Sequence, residues 1–280
     1  DDVNGHGTHV AGIVASSDTV YPGIAPGASL IALQCLTASG SGTVTSLEAA
    51  LTWCIENAEE YNISVINMSL SFGDNSSTAV EWFFSDELLA LNQMGVTVVS
   101  ASGNHYRDYQ EPGVAYPSSD PSSFSVGAVF HSNVGAYRAN STTADQIAPF
   151  SQRDENLTTV MAPGVLIPSA LPNDKVGALD GTSMAAPVVA GAVAVLQEAA
   201  QDLLNRKLTP FEIENLFKNS SDVIFDGDDE NDGLRHTEEN YNRLNLDALI
   251  KSLKESIEPG FHMVEVEAGV SSEISFGIAE

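Results

Sequence analysis

Two segments at opposite ends of the chain have the residue types that nucleophilic catalysis needs. Residues 181–187 (GTSMAAP) place Ser183 in a turn of small residues, and the apolar run 188–196 that follows predicts a buried helix. Backbone N–H groups are unpaired in the first turn of such a helix, and the helix dipole is positive there. An oxyanion that forms beside Ser183 would therefore be stabilised by the backbone.

The other segment supplies a candidate base. Residues 4–12 (NGHGTHVAG) place His6 between two glycines at the start of a small, apolar helix. A serine hydroxyl is a weak nucleophile until a base takes its proton, and the flanking glycines leave room for a substrate beside His6. His9 is expected one turn later, on a packed face. A zinc site is disfavoured because zinc-binding helices pair histidines at i and i+4 with a nearby Glu, and no acid lies between His6 and His9.

The segments between these two predict a parallel sheet covered by helices on both faces. Apolar runs predict strands at 28–35, 65–70, 96–101 and 125–129, and helical spacing predicts helices at 45–60, 78–94, 209–217 and 245–254. Strands that alternate with helices of these lengths require right-handed crossovers, which give parallel pairing. In such a sheet the active site gathers beyond the carboxyl ends of the strands. Residues 69–71 and 102–104 each follow a predicted strand and should meet there.

Five short motifs, in order along the chain, resemble those of the subtilisin-like serine proteases, the subtilases. They are residues 5–12 (GHGTHVAG), 65–70 (VINMSL), 102–104 (SGN), 160–164 (VMAPG) and 181–185 (GTSMA). One such motif would be weak, but five in this order are specific. The resemblance covers roughly residues 1 to 250 and implies a three-layer α/β fold with a mainly parallel central sheet.

The resemblance also implies roles for individual residues. Ser183 corresponds to the nucleophile and His6, the first histidine of its motif, to the general base. Asn104 corresponds to the side-chain donor that stabilises the oxyanion together with the Ser183 backbone N–H. An asparagine rather than an aspartate at this position argues against the related acid-active serine-carboxyl proteases. No cofactor is expected for catalysis.

The third member of the family's triad, an aspartate that orients the histidine, is not found in this sequence. In subtilases it ends a strand some tens of residues before the histidine motif, whereas Asp1 and Asp2 lie only a few residues before His6 and outside any such motif. The role is therefore not transferred to either residue. Two interpretations stay open: a fragment of a longer enzyme, or a crippled product. We expect the fragment alone to fold poorly, because the missing strand would be central to the sheet.

Two segments resemble the edges that hold a peptide substrate by strand addition in this family. They are Gly40, Ser41 and Gly42, and Ser69, Leu70 and Ser71. Leu70, Ala101 and Gly103 would line the first pocket. Small, apolar walls predict a large uncharged residue before the cleaved bond. The loop from 105 to 113 departs from short family forms, which leaves the depth of the pocket open.

Composition limits the partners. With 11 Lys and Arg against 38 Asp and Glu, the net charge is −27, which disfavours nucleic acid and anionic membrane surfaces because both would repel the chain. The acidity has two interpretations, a solvated surface or adaptation to high salt. No apolar run approaches the ~18 residues of a membrane span, and no signal peptide is recognisable.

The two cysteines, Cys35 and Cys54, are too few for a disulfide scaffold. We favour two small buried hydrophobic residues, with a single bridge in an exported protein as the alternative.

An acidic stretch at 226–233 nearly follows a calcium-loop pattern. With Asp228 as its first position, Asp232 is the fifth and Glu239 the twelfth, but Glu230 breaks the third and no flanking helix pair is evident. Asp228, Asp232 and Glu239 are therefore candidate ligands of a structural calcium ion, and a solvated acidic turn is the alternative.

The sequence thus predicts a peptidase domain at 1–254, followed at 255–280 by an extension or the start of a β-rich domain. We expect a secreted or otherwise exported serine endopeptidase that acts on polypeptides and is made with an N-terminal pro-segment. The alternative is a catalytically inactive relative with a peptide-binding or structural role.

Overall fold

A parallel sheet forms the centre of the molecule. The computed structural model describes residues 2–137, 140–227 and 232–256. The strands within them are β1 (Val65–Met68), β2 (Thr97–Ala101), β3 (Ser123–Val129), β4 (Ala136–Tyr137), β5 (Asn140–Ser141), β6 (Thr158–Pro163), β7 (Ile167–Leu171), β8 (Lys175–Leu179), β9 (Asp222–Phe225) and β10 (Asn240–Arg243). The main sheet has six of these strands in the order β1-β2-β3-β6-β10-β9. Strands β1, β2, β3, β6 and β10 pair in parallel, and β9 is antiparallel to β10.

Helices cover both faces of this sheet, which confirms the predicted fold class. They are α1 (His6–Ala15), α2 (Val44–Asn57), α3 (Ser85–Gln93), α4 (Tyr106–Tyr109), α5 (Thr182–Leu204), α6 (Pro210–Ser220) and α7 (Leu246–Glu255). Strand β2 is buried along its whole length and contributes to both layers. Val99 packs into the apolar cluster that contains α5, α6 and α7, whereas Val98 packs into the cluster that contains α2 and α3.

The long helix α5 occupies the core. Its small side chains allow it to lie close against β1, β2, β3 and β6, and Ala185, Val189 and Leu196 are fully buried. By length and composition this helix could cross a membrane, but most of it is buried inside the domain, as a core helix would be.

Local signals predicted the later helices well. Thr209 caps α6 by accepting a hydrogen bond from the Glu212 N–H, and the Glu212 side chain accepts from the Thr209 N–H in return, with Pro210 at the first helical position. Asn245 caps α7 with its side-chain oxygen, which accepts a hydrogen bond from the Ala248 N–H at 3.0 Å.

The predicted strand at 28–35 is wrong. This segment has no regular structure, and Leu30, Ile31 and Leu33 are exposed by 52%, 44% and 39%. An apolar run stabilises a strand only where its side chains are buried, because the hydrophobic effect depends on the area removed from water. The exposed side chains of segment 28–35 give it no such stabilisation.

The predicted helix at 78–94 is also too long. It begins only at Ser85, because the preceding residues form an aromatic cluster instead. The Trp82 and Phe83 rings stack with centroids 3.9 Å apart, and Phe83 lies 5.6 Å from Phe72. Phe83 has a φ of 23°, outside the helical region, which is rare for a bulky side chain.

The two cysteines are free thiols. Cys54 is buried on α2 and Cys35 is half-buried, and both pack into the apolar cluster of α2 and α3. Burial, reinforced by the neighbouring Cys35, raises the pKa of Cys54 to about 11. The interpretation as small hydrophobic residues is therefore confirmed for Cys54, and for Cys35 in part.

A buried ion pair fastens the antiparallel end of the sheet. The Arg153 guanidinium donates two hydrogen bonds to Asp226, of 2.8 and 2.9 Å, and lies 3.5 Å from the centre of the Tyr106 ring. Asp226 also accepts from the Thr237 N–H and hydroxyl. Although burial alone would raise the pKa of Asp226, the Arg153 charge and these hydrogen bonds hold it below its usual value.

Candidate active site

The polar segments that follow β1 and β2 lie beside the first turn of α5. The Ser183 hydroxyl contacts the Ser69 carbonyl oxygen at 3.4 Å, and the Gly103 N–H donates to the Thr182 hydroxyl at 3.2 Å. Residues 69–71 and 102–104, which were predicted to meet beyond the carboxyl ends of parallel strands, thus each contact the first turn of α5, through Ser69 and Gly103.

Pro187 explains why Ser69 is bound to this turn. A proline has no N–H, so the carbonyl of the residue four positions earlier, Ser183, receives no helical hydrogen bond. The Ser69 hydroxyl donates to that carbonyl at 2.7 Å, and the Asn67 side chain donates in turn to the Ser69 hydroxyl at 2.9 Å. The segment after β1 is thus joined directly to the backbone of Ser183.

The orientation of the Asn104 amide is set by Thr182. A backbone N–H can only donate, and the Thr182 N–H lies 2.9 Å from Asn104 Oδ1, with the Thr182 hydroxyl at 3.0 Å from the same atom. The amide nitrogen Nδ2 is therefore left to donate elsewhere. A Cβ placed on Gly181 would lie 3.6 Å from both Asn104 Nδ2 and the Ser183 N–H nitrogen, so both candidate oxyanion donors lie beside this turn.

His6 is the first residue of α1, and Gly5 before it has a φ of 90°, a conformation that favours glycine. Helix α1 packs against α5, which carries Ser183, and against β7. His9, one turn after His6, is fully buried as predicted, with its Nε2 3.1 Å from the Gly177 carbonyl. The packing of α1 thus fixes the helix that presents His6.

Burial lowers the pKa of His6, and the nearby His9 lowers it further, while Asp2 raises it. A lowered pKa keeps the imidazole neutral near pH 7, which is the form that can accept a proton from serine.

Asp2 serves as a helix cap. Its carboxylate accepts hydrogen bonds from the Gly5 N–H at 2.8 Å and from the Thr8 N–H and hydroxyl at 2.7 and 2.8 Å. These bonds lower its pKa. Across residues 2–137, 140–227 and 232–256, no carboxylate forms a hydrogen bond with the His6 ring. The Asp2 carboxylate is thus directed at the backbone of the first turn of α1.

The predicted substrate-binding residues lie in two places. Gly40 and Ser41 are in an exposed turn, and Gly42 pairs with Leu36 as an isolated antiparallel bridge. Leu70 and Ser71 follow β1, whereas Ala101 and Gly103 are buried at the end of β2. A Cβ on Gly103 would lie 3.1 Å from the Ala115 side chain, so Ala115, which the sequence argument missed, adds another small side chain to this region.

The candidate calcium ligands lie only partly within the described residues. Asp228 lies outside them. Asp232 accepts a hydrogen bond from the Leu234 N–H at 2.9 Å, and the neighbouring Glu155 raises the pKa of Glu239. The described portion contains no cluster of three or more His, Cys, Asp or Glu side chains that could hold a metal ion. The calcium site stays a prediction.

Comparison with known proteins decides the family. The sequence profile described as the Subtilase family matches residues 1–247. The chain belongs to the subtilase family. It is 40% identical over 197 residues to Subtilisin E of Bacillus subtilis (strain 168), which covers 70% of this chain and 46% of that protein. It is 34% identical over 222 residues to Subtilisin Savinase of Lederbergia lenta, covering 79% of this chain and 71% of the relative. The chain spans about half the length of several curated subtilisins that it matches.

Two hydrogen bonds of this subtilase site were not predicted from the sequence. Thr182 fixes the orientation of the Asn104 amide, and the Ser69 hydroxyl donates to the Ser183 carbonyl. The second could have been inferred, because Pro187 stands four residues after Ser183 and must leave one carbonyl without a helical donor. The first depends on a contact across 78 residues, which no local pattern encodes.

Proposed function

We propose that this protein is an exported serine endopeptidase that hydrolyses polypeptides through an acyl-enzyme at Ser183. His6 accepts the Ser183 proton as the hydroxyl attacks the peptide carbonyl, and returns it to the departing amine. Asn104 Nδ2 and the Ser183 N–H donate to the oxyanion. The observation that carries the proposal is the Asn104 amide, which Thr182 holds by its oxygen so that its nitrogen is free beside Ser183.

The proposed enzyme binds its substrate as an extended chain and has one peptidase domain. The substrate chain lies between residues 40–42 and 69–71, and a large uncharged side chain occupies the pocket beside Ala101 and Gly103. Residues 1–254 form the peptidase domain, and a pro-segment assists its production. A calcium ion held by Asp228, Asp232 and Glu239 stabilises the end of the domain, and its removal with EDTA lowers the melting temperature.

A catalytically inactive relative is the second candidate. Its distinguishing feature would be a full-length sequence that lacks the strand carrying the orienting acid. By analogy with other triads, loss of the orienting acid lowers kcat by about 10⁴-fold. Retention of Ser183, His6 and Asn104 together favours the enzyme, because an inactive protein has no need of three separate catalytic groups.

Covalent labelling separates the two candidates. The full-length protein is treated with a serine-directed phosphonate, and the modified residue is mapped by mass spectrometry. We expect labelling at Ser183, no labelling of Ser183→Ala, and retained labelling of Ser17→Ala, a control at an exposed serine outside the catalytic and substrate-binding residues. Labelling at another residue would remove the proposed nucleophile, and no labelling of the natural protein would support the inactive relative.

A further inference from the structure

One buried side chain lies between residues 102–105, which include the candidate oxyanion donor, and the loop 73–76. Gln152 is fully buried and directly precedes Arg153 of the buried ion pair. It makes no contact with Ser183 or His6 among the hydrogen bonds of the described residues, and the sequence argument did not select it.

Gln152 contacts the residues on both sides of Asn104. Its N–H donates to the Gly103 carbonyl at 2.9 Å, and its own carbonyl accepts from the Ser102 hydroxyl at 2.7 Å. Its side-chain oxygen Oε1 accepts from the His105 N–H at 3.4 Å. The fit is close, because a Cβ on Gly103, which has a φ of 111°, would overlap Oε1. The backbone that carries Asn104 is therefore held on both sides by one residue.

The other polar atom of the same side chain binds the loop that follows the proposed substrate edge. Gln152 Nε2 donates to the Asp74 carbonyl and to Asn75 Oδ1, both at 2.8 Å. This loop, residues 73–76, is separated from 69–71 by one residue, and its Asp74 side chain accepts from the Tyr116 N–H at 3.0 Å. One amide group thus connects the segment that carries the oxyanion donor with the loop that follows the peptide-binding edge.

We infer that Gln152 is a positioning residue that holds Asn104 Nδ2 at the oxyanion position by linking residues 102–105 to residues 73–76. The inference rests on the proposed function. Its physical basis is preorganisation: a donor accelerates the reaction only if its position is fixed before charge develops. Three hydrogen bonds of the buried Gln152 amide, and its contact with Gly103, supply that fixation.

The inference is tested with Gln152→Ala and with Gln152→Met, which keeps much of the side-chain volume but removes all of its amide hydrogen bonds. Gln197→Ala is the matched control, because Gln197 is also a buried glutamine whose amide makes two hydrogen bonds, both to Leu208 and both 2.9 Å. Rates are measured on the full-length protein per active site, counted by phosphonate titration, so that unfolded protein does not enter kcat.

We expect both Gln152 variants to lower kcat by about 10- to 100-fold, as a displacement near 1 Å does, with a smaller change in KM. Gln197→Ala should lower the melting temperature and leave kcat unchanged. The decisive comparison uses Asn104→Ala, which itself costs about 10²–10³ in kcat. In that background the loss caused by Gln152→Ala should shrink to less than about threefold, because residues that act through one another are not additive.

An unchanged kcat in Gln152→Met, or an equal loss with and without Asn104, would overturn the inference. A crystal structure of Gln152→Met provides a test that does not depend on activity. The Asn104 amide should leave its position beside Thr182 in this variant. An amide that has not moved would also overturn the inference. If the natural protein is not labelled at Ser183, the proposed function fails, and the position of Asn104 in this variant still decides whether Gln152 holds it.

Discussion

Two regions of the molecule differ in how completely their side chains are buried. At the β9–β10 end of the main sheet, Arg153 and Asp226 are almost completely buried and pair through two hydrogen bonds. Segment 28–35, by contrast, is irregular and exposes Leu30, Ile31 and Leu33. A long-range polar pair thus fixes the first region, whereas the second keeps apolar side chains in contact with water.

The active-site region resembles the region of Arg153 and Asp226 in being held by long-range polar contacts. Its contacts join residues far apart in sequence, such as Thr182 to Asn104 and Ser69 to Ser183, and each uses a group that would otherwise have no partner. Buried polar groups of this kind cost free energy when a partner is removed, so they fix one arrangement of the backbone.

The largest expected effect comes from breaking the ion pair. Asp226→Asn or Arg153→Met should lower the free energy of unfolding by about 3–5 kcal/mol, because each leaves a buried group without its charged partner. The double variant should cost less than the sum of the two. Urea unfolding of the full-length protein in a Ser183→Ala background, which prevents self-digestion, measures this. Additive losses would mean that the two groups do not interact.

The exposed pair Lys218 and Glu214 is the matched control. Its side chains are four residues apart on α6 and partly exposed, so Glu214→Gln should cost only about 0.3–0.5 kcal/mol. A loss equal to that of Asp226→Asn would contradict the importance assigned to burial.

Lowering the pH is expected to have a smaller effect on the free energy of unfolding. Because the pKa of Asp226 is held below its ordinary value of 3.8, the unfolded chain takes up a proton more readily than the folded chain. The stabilisation from this group is therefore complete above that ordinary value and is lost as the pH falls through the folded pKa. Unfolding free energies measured from pH 5 downward should fall more steeply for the natural residue than for Asp226→Asn. Parallel curves would exclude this linkage.

The smallest effect is expected in segment 28–35. In the 280-residue chain, Leu30→Ala should change the free energy of unfolding by less than about 0.5 kcal/mol, as exposed substitutions do. Leu88→Ala, at a leucine that is fully buried on α3, should cost about 2–5 kcal/mol. Equal losses at Leu30 and Leu88 would show that segment 28–35 is packed and would remove the comparison.

The sequence was informative where structure is set by near neighbours. Thr209 and Glu212 form a cap from residues three apart, and the alternation of strands and helices is enough to predict the parallel sheet. Short motifs also singled out Ser183, His6 and Asn104 as candidate catalytic residues. Segment 28–35 was mispredicted because pairing depends on neighbouring strands, which an apolar run does not specify. The contacts of Gln152 and of the pair Arg153 and Asp226 join residues 47 to 78 positions apart, and local patterns carry no information on such pairs.

The central claim is that Ser183, His6 and Asn104 act on one carbonyl carbon. The most direct measurement is a crystal structure of the full-length protein with a peptide phosphonate bound. The account predicts a covalent bond to Ser183 Oγ and a phosphonyl oxygen about 2.7–3.1 Å from both Asn104 Nδ2 and the Ser183 N–H nitrogen, with the His6 ring beside Oγ. A phosphonyl oxygen directed away from Asn104, or a His6 ring out of reach of Oγ, would contradict it.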